Sequence, residues 1–197
     1  MKKVLIIGGT SSLVKPIISK LEKNGYEIDA LTFRQSKKIN LEKNYTWIKL
    51  DLYDTKSIDM FFSFLPNNFY SKIIFLAGSG LGKSYKDVDA LEMESFYKAF
   101  LLNYISLIIN LSNRLDFDGQ LIFISSIAAK IPIQDAHYSA VKAGVEAFVR
   151  SASSQLSQNK SMFSISPATI TDSMREDIAN LILNADVSYN GTTIDIQ

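Results

Sequence analysis

At 197 residues, with 47% hydrophobic and 21% charged side chains, the chain has the size and balance of one globular domain over residues 1–197. Its net charge of +1, with no basic run beyond Lys37-Lys38, lacks the electrostatic footprint of a nucleic-acid binder, so no nucleic-acid partner is expected. The absence of cysteine excludes disulfides and thiolate chemistry, and with His137 as the single histidine no metal site is expected.

Val4–Ile7 is a short apolar run that gives way to Gly8-Gly9, too brief for a signal peptide and of the length of a buried strand. Pro16–Lys23 follows with helical periodicity, and Pro16 falls in the first turn, where a missing N–H costs little. Ile28–Phe33 and Thr46–Leu50 read as strands, Lys56–Phe64 as a helix and Ile73–Leu76 as a strand. Ser95–Leu115 is a long apolar helix. Lys98, Asn103 and Asn110 interrupt it, so a buried helix fits better than a membrane span, and no membrane partner is expected. Leu121–Ile124, Phe163–Ile165 and Thr192–Ile196 complete the strands; Ser139–Leu156 and Ser173–Leu183 complete the helices. This alternation predicts a doubly wound α/β fold of the Rossmann type, a parallel sheet of about seven strands with helices on both faces. A cytoplasmic location is expected.

Ligands of such sheets sit beyond the carboxyl ends of the strands, where the strand order switches. Gly8-Gly9-Thr10-Ser11-Ser12 lies at one such end and opens a helix, where backbone N–H groups and the helix dipole favour a phosphate. Tyr138 and Lys142 are four residues apart in a helical run and share a face, so both can address one small molecule. A phenol is a poor acid–base catalyst near neutrality, and a fixed cation beside it favours the phenolate.

Taken in order, these pieces resemble the short-chain dehydrogenase/reductase family over nearly the whole chain. Gly8–Val14, including Thr10, Ser11, Ser12 and Leu13, corresponds to its Gly-rich cofactor turn. Asp51-Leu52 matches the acidic position that contacts adenine, Leu76-Ala77-Gly78 its Asn-Ala-Gly segment, and Asn103 its central-helix asparagine. Ser126 matches the serine twelve residues before the tyrosine. The run from Pro167 through Ile170 to Thr171 resembles the region near the nicotinamide.

The resemblance implies that Tyr138 exchanges a proton with the substrate oxygen while the nicotinamide exchanges a hydride with its carbon. Lys142 would lower the phenol's pKa and bond the nicotinamide ribose, Ser126 would stabilise the oxyanion, and Asn103 would hold a water linking Lys142 to solvent. After the second strand the family reads the adenosine ribose. Arg34, assisted by Ser36 or Lys37, favours NADP(H) over NAD(H), while Asp29 comes too early in the strand to reach.

Three departures stand out. Ser12 and Val14 occupy the positions of the second and third glycines, Val14 bringing a branched Cβ where the family has none. Leu76 and Ala168 replace an asparagine and a glycine, and almost nothing separates Thr171 from the last helix, where relatives carry a lid. An open cleft suits a bulky or carrier-linked small-molecule substrate. The expected function is NADP(H)-dependent interconversion of a carbonyl and an alcohol; the alternative is a nucleotide-binding or regulatory protein with little turnover. A homodimer or homotetramer through the central helices is expected, with Leu101, Ile105, Ile108 and Ile109 as contact candidates. His137 is expected to be an exposed residue at a helix start.

Overall fold

The computed structural model describes residues 2–34, 41 and 43–197. Ser36 and Lys37, the candidates for assisting Arg34, lie outside the described residues. Strands β1 (Lys2–Ile7), β2 (Tyr26–Phe33), β3 (Trp47–Lys49), β4 (Tyr70–Phe75), β5 (Leu115–Ile124), β6 (Ser161–Pro167) and β7 (Thr193–Ile196) form one parallel sheet in the order β3-β2-β1-β4-β5-β6-β7. The order reverses between β1 and β4, which leaves a crevice at their carboxyl ends.

The strands alternate their side chains between two cores. On one face, α1 (Val14–Lys23) and α6 (Asp172–Asn184) bury Val4, Ile6, Ile74, Ile122, Phe163 and Ile165. On the other, Leu5, Ile7, Ile73, Phe75, Leu121 and Phe123 are covered by α2 (Thr55–Phe64), α4 (Tyr104–Ser112) and α5 (Ala136–Ala152). These strands are apolar on both faces because both faces are covered. Among the described residues, no helix is long and apolar enough to cross a membrane.

The long central helix departs from expectation. It starts earlier, as α3 (Ala90–Tyr97), because Asp89 caps it by accepting from the Glu92 amide at 2.8 Å. A π-helical segment, Lys98–Asn103, then leads into α4, which ends at Ser112. Leu115, expected as the helix end, instead opens β5, pairing with Tyr70 across an irregular register. Ile108 is 1% exposed and packs on the sheet, so it is withdrawn as a subunit-contact candidate; Leu102 and Ile109 are the exposed apolar residues of this stretch.

Candidate functional site

The crevice is built first from backbone. Gly8 has φ +96°, and a Cβ there would stand 2.6 Å from the Ala77 amide nitrogen, so the β1 turn and the segment after β4 touch main chain to main chain. Thr32, at the end of β2, holds the turn: its hydroxyl accepts from Gly8 N at 2.8 Å and its carbonyl from Gly9 N at 2.7 Å. No side chain caps α1 and no acidic residue occupies its first turn, leaving its positive end beside the crevice.

A groove of about 260 Å³ runs along this crevice, lined by Gly8, Thr10, Ser11, Arg34, Asp51, Leu52, Tyr53, Ala77, Gly78 and Phe100 among others. Its outer end carries a cluster. The Arg34 guanidinium lies 4.6 Å from the Tyr53 ring centre, and its Nε is 3.3 Å from Asp51 Oδ1. Of the other cofactor candidates, Ser12 is exposed and Leu13 is buried in the core, neither among the groove's lining residues. Val14 is also fully buried against α1's own side of the sheet, so its branched side chain fills core rather than groove. Pro167 and Ile170 stand at the end of β6, outside the lining. Thr171 caps α6 directly, accepting from Met174 N, so no lid segment intervenes.

The inner end of the groove shares Ala77, Gly78, Ser79 and Phe100 with a narrow slot beside Tyr138 and Lys142. The slot's volume of about 10 Å³ admits roughly one water. Asp135 aims this end. Its Oδ1 accepts from Tyr138 N at 2.9 Å to cap α5, and its Oδ2 accepts from Gly82 N at 2.8 Å, tying the loop after β4 to the helix start. Gly80 is needed there, since a Cβ would meet Asp135 Oδ2 at 2.5 Å.

Tyr138 is half-buried, and the Ser126 hydroxyl, which also accepts from Ala128 N at 3.2 Å, favours its phenolate. Burial pushes the phenol above its ordinary value; Ser126 pulls it down, and Asp135 adds a smaller upward push. Lys142 Nζ lies 5.5 Å from the Tyr138 ring centre and donates to the Ile124 carbonyl at 2.9 Å. Burial lowers this ammonium to about 8, with Glu146 opposing the shift. Lys142 had been expected to bring the phenol down. In this structure the phenol stands high, because desolvation outweighs Ser126 and the ammonium is turned to a backbone carbonyl.

Asn103 lies elsewhere. Its Nδ2 donates to the Leu52 carbonyl at 2.7 Å, so it pins the central helix to the loop after β3. His137 is likewise not an exposed helix-start residue: it is half-buried, with Nδ1 3.3 Å from the Tyr97 hydroxyl. Sequence reasoning missed Thr32, Tyr53 and Asp135. Only Asp135 carried a readable signal, an aspartate three residues before Tyr138 at a helix start.

The short chain dehydrogenase family model matches residues 2–180. The chain belongs to the short-chain dehydrogenase family. That family comprises oxidoreductases, and its fold binds a nicotinamide cofactor. Solved structures agree on the fold. A protein called lin1944 from Listeria innocua is 17% identical with a TM-score of 0.82, each chain covered in full. A short chain dehydrogenase family protein from Francisella tularensis subsp. tularensis SCHU S4 is 19% identical with a TM-score of 0.83, covering 100% of this chain and 97% of that one. BdcA in complex with NADPH is 16% identical with a TM-score of 0.82, covering 99% and 92% respectively. No curated protein matches the chain by sequence.

The residues present fit a dinucleotide. The groove runs from a cation at the outer end, past a glycine turn at a helix start, to the slot lined by Lys142 that adjoins its inner end. Gly78, with φ +149°, leaves open a space that a Cβ would fill 2.9 Å from Lys142 Nζ.

Proposed function

We propose that the chain is an NADP(H)-dependent oxidoreductase interconverting a carbonyl and an alcohol, with Tyr138 as acid/base. The observation that carries this reading is the juxtaposition of the Tyr138 phenol with buried Lys142 in the slot that adjoins the inner end of the groove. The nicotinamide, when bound, supplies or accepts the hydride. Tyr138 passes its phenolic proton to the carbonyl oxygen in reduction and takes it back in oxidation. Ser126 donates to the same oxygen as charge builds on it. Lys142 places a positive charge against the phenolate, which a buried phenol requires in order to ionise at all. Asn103 positions the cofactor's adenine-side loop through Leu52.

Preference for NADP(H) is supported by Arg34, 4.6 Å from the Tyr53 ring centre at the groove's outer end, where a 2′-phosphate would stand. Asp51 shares that guanidinium and would compete with the phosphate. The substrate is a small molecule, bulky or carrier-linked, lying over the lidless end of the groove. Leu101, Ile105 and Ile109 on the central helix, with the exposed Leu102 beside them, are the proposed homodimer or homotetramer contacts, and the protein is proposed to be cytoplasmic.

Titration with NADPH and NADH, on wild type and Arg34→Asp, tests the cofactor reading; tighter NADPH binding that the substitution reverses supports it. A carbonyl screen with Tyr138→Phe as control tests the chemistry. The second reading, a nucleotide-binding protein with little turnover, is favoured by the slot's volume of about 10 Å³. It predicts dinucleotide binding with no turnover that depends on Tyr138.

A further inference from the structure

Lys142 is 8% exposed, and the carbonyl it donates to is neutral. A buried ammonium needs a compensating charge. Glu146 lies one helical turn further along α5 on the same face, is 5% exposed, and is the group whose charge favours the protonated lysine. Its Oε1 has no hydrogen-bond partner.

Four hydroxyls among the described residues share that condition: Ser71 on β4, away from this helix, and, facing it, Ser125 just beyond β5 and Ser164 and Ser166 on β6. Side chains alternate across a strand. Phe163 and Ile165 join the core under α1 and α6, so Ser164 and Ser166 turn to the α5 face. Ser125 turns the same way, two residues beyond Phe123, which belongs to the α5-side core. Phe123 pairs with Ser164 and Ile124 with Ile165, so these hydroxyls are neighbours across two adjacent strands. Four buried polar atoms without protein partners thus lie in the one layer between α5 and β5–β6. Protein interiors seldom leave such groups unsatisfied, and water is the ligand that fits several of them together.

We infer that Glu146 is the counter-ion of Lys142, acting across a hydrated layer walled by Ser125, Ser164 and Ser166, and so sets the charge that Lys142 presents to Tyr138. The inference rests on the proposed role of the Tyr138–Lys142 pair and makes Glu146 a positioning residue for it. The other ionisable groups around the pair are Tyr138, His137 and, one turn beyond Glu146, the exposed Arg150 on α5, with Asp135 in the loop before it. To these are added Tyr104 on α4, whose phenol burial holds far above its ordinary value, and Asp195 on β7, the register partner of Ser166, which is ion-paired with Lys130. The facing residues of β5 and β6 (Leu121, Phe123, Ser125, Met162, Ser164 and Ser166) carry no ionisable group.

The test is an NMR titration of the lysine side-chain nitrogens in protein made with isotope-labelled lysine, Lys142 being assigned by its loss in Lys142→Arg. Glu146→Gln should lower the Lys142 midpoint by about one pH unit or more, the scale of losing one nearby charge in a buried site. Glu146→Asp should recover part of that shift. An unchanged midpoint in Glu146→Gln overturns the inference. If that variant does not fold, Ser164→Ala with Ser166→Ala should move the midpoint the same way by less, and no movement there overturns the inference equally. In an active preparation, the alkaline limb of turnover in Glu146→Gln should shift down with the midpoint. The titration uses neither substrate nor dinucleotide, so it judges Glu146 separately from the oxidoreductase reading, which fails on its own if Tyr138→Phe leaves turnover intact.

Discussion

Two lysines are buried at opposite ends of the sheet, and burial lowers both ammonium groups to about 8. Lys72, at the start of β4, donates to the Gln120 side-chain oxygen. Gln120 in turn donates to the Ala185 carbonyl at 3.0 Å and lies 3.4 Å from the Ser161 hydroxyl. Beside that row lie a groove of about 370 Å³ and the unpartnered Ser71 hydroxyl. Lys142, at the carboxyl end, shares the desolvation and differs in the groups that surround it. A glycine leaves space beside it, a phenol lies within reach, a carboxylate is buried one turn away, and unpartnered hydroxyls lie below. A perturbed lysine is therefore a weak pointer to function by itself. What surrounds it decides.

The sharpest way to break this contrast is Tyr138→Phe, which should lower turnover by about 10²- to 10⁴-fold, the usual contribution of a positioned acid/base, while dinucleotide affinity stays close to wild type. Steady-state kinetics beside a binding titration checks both halves. Gly78→Val comes next. Its Cβ would meet Lys142 Nζ at a φ that side chains rarely adopt, so a loss of about 1–3 kcal/mol in stability is expected, with loss of dinucleotide binding. Gly25→Ala, also at positive φ but with no atom within 4 Å of the added Cβ, should cost about 1 kcal/mol and leave binding alone. Chemical denaturation compares the two.

Lys72→Met should stabilise the fold at pH 7 by about 1–2 kcal/mol. Removing the charge relieves its desolvation, partly offset by stranding the Gln120 oxygen, and turnover should not change. Lys142→Met should abolish turnover. The last effect is the pH dependence of stability. Both lysines have a folded value of about 8 against an ordinary 10.5, so between these values the unfolded chain binds more protons. Stability from this source is therefore lowest below pH 8 and rises as pH climbs from about 8 to about 10. Unfolding free energies measured across that window should show the rise, and Lys72→Met should roughly halve it.

The strands and the two covered faces were legible because apolar runs bounded by Gly8, Asp51 and Ser125 reflect strands buried on both sides and ended by polar turns. The π-helical segment Lys98–Asn103 was not, since a local winding change leaves no mark in hydrophobic spacing. The irregular register that draws Leu115 into β5 was hidden for a similar reason: Leu115 completes the apolar pattern of the preceding helix. In the site, Tyr138 and Lys142 were readable from their spacing, and Ser126 from the family resemblance. The hydrogen bond from Asn103 to Leu52, and the Arg34–Asp51–Tyr53 cluster, depend on distances across the sheet that no local pattern encodes. Glu146 was readable only as a helix residue; its importance comes from what lies beneath α5.

The most direct test of the central claim uses the chain's one tryptophan. Trp47 packs under the glycine turn, where its ring would meet a Cβ on Gly9 at 2.9 Å. NADPH titrated into the wild-type protein should quench Trp47 and give sensitised nicotinamide emission with a micromolar midpoint, and NADH should do so more weakly. No change with either dinucleotide would contradict a working cofactor groove, and with it the assignment of Tyr138 and Lys142 to hydride-coupled chemistry.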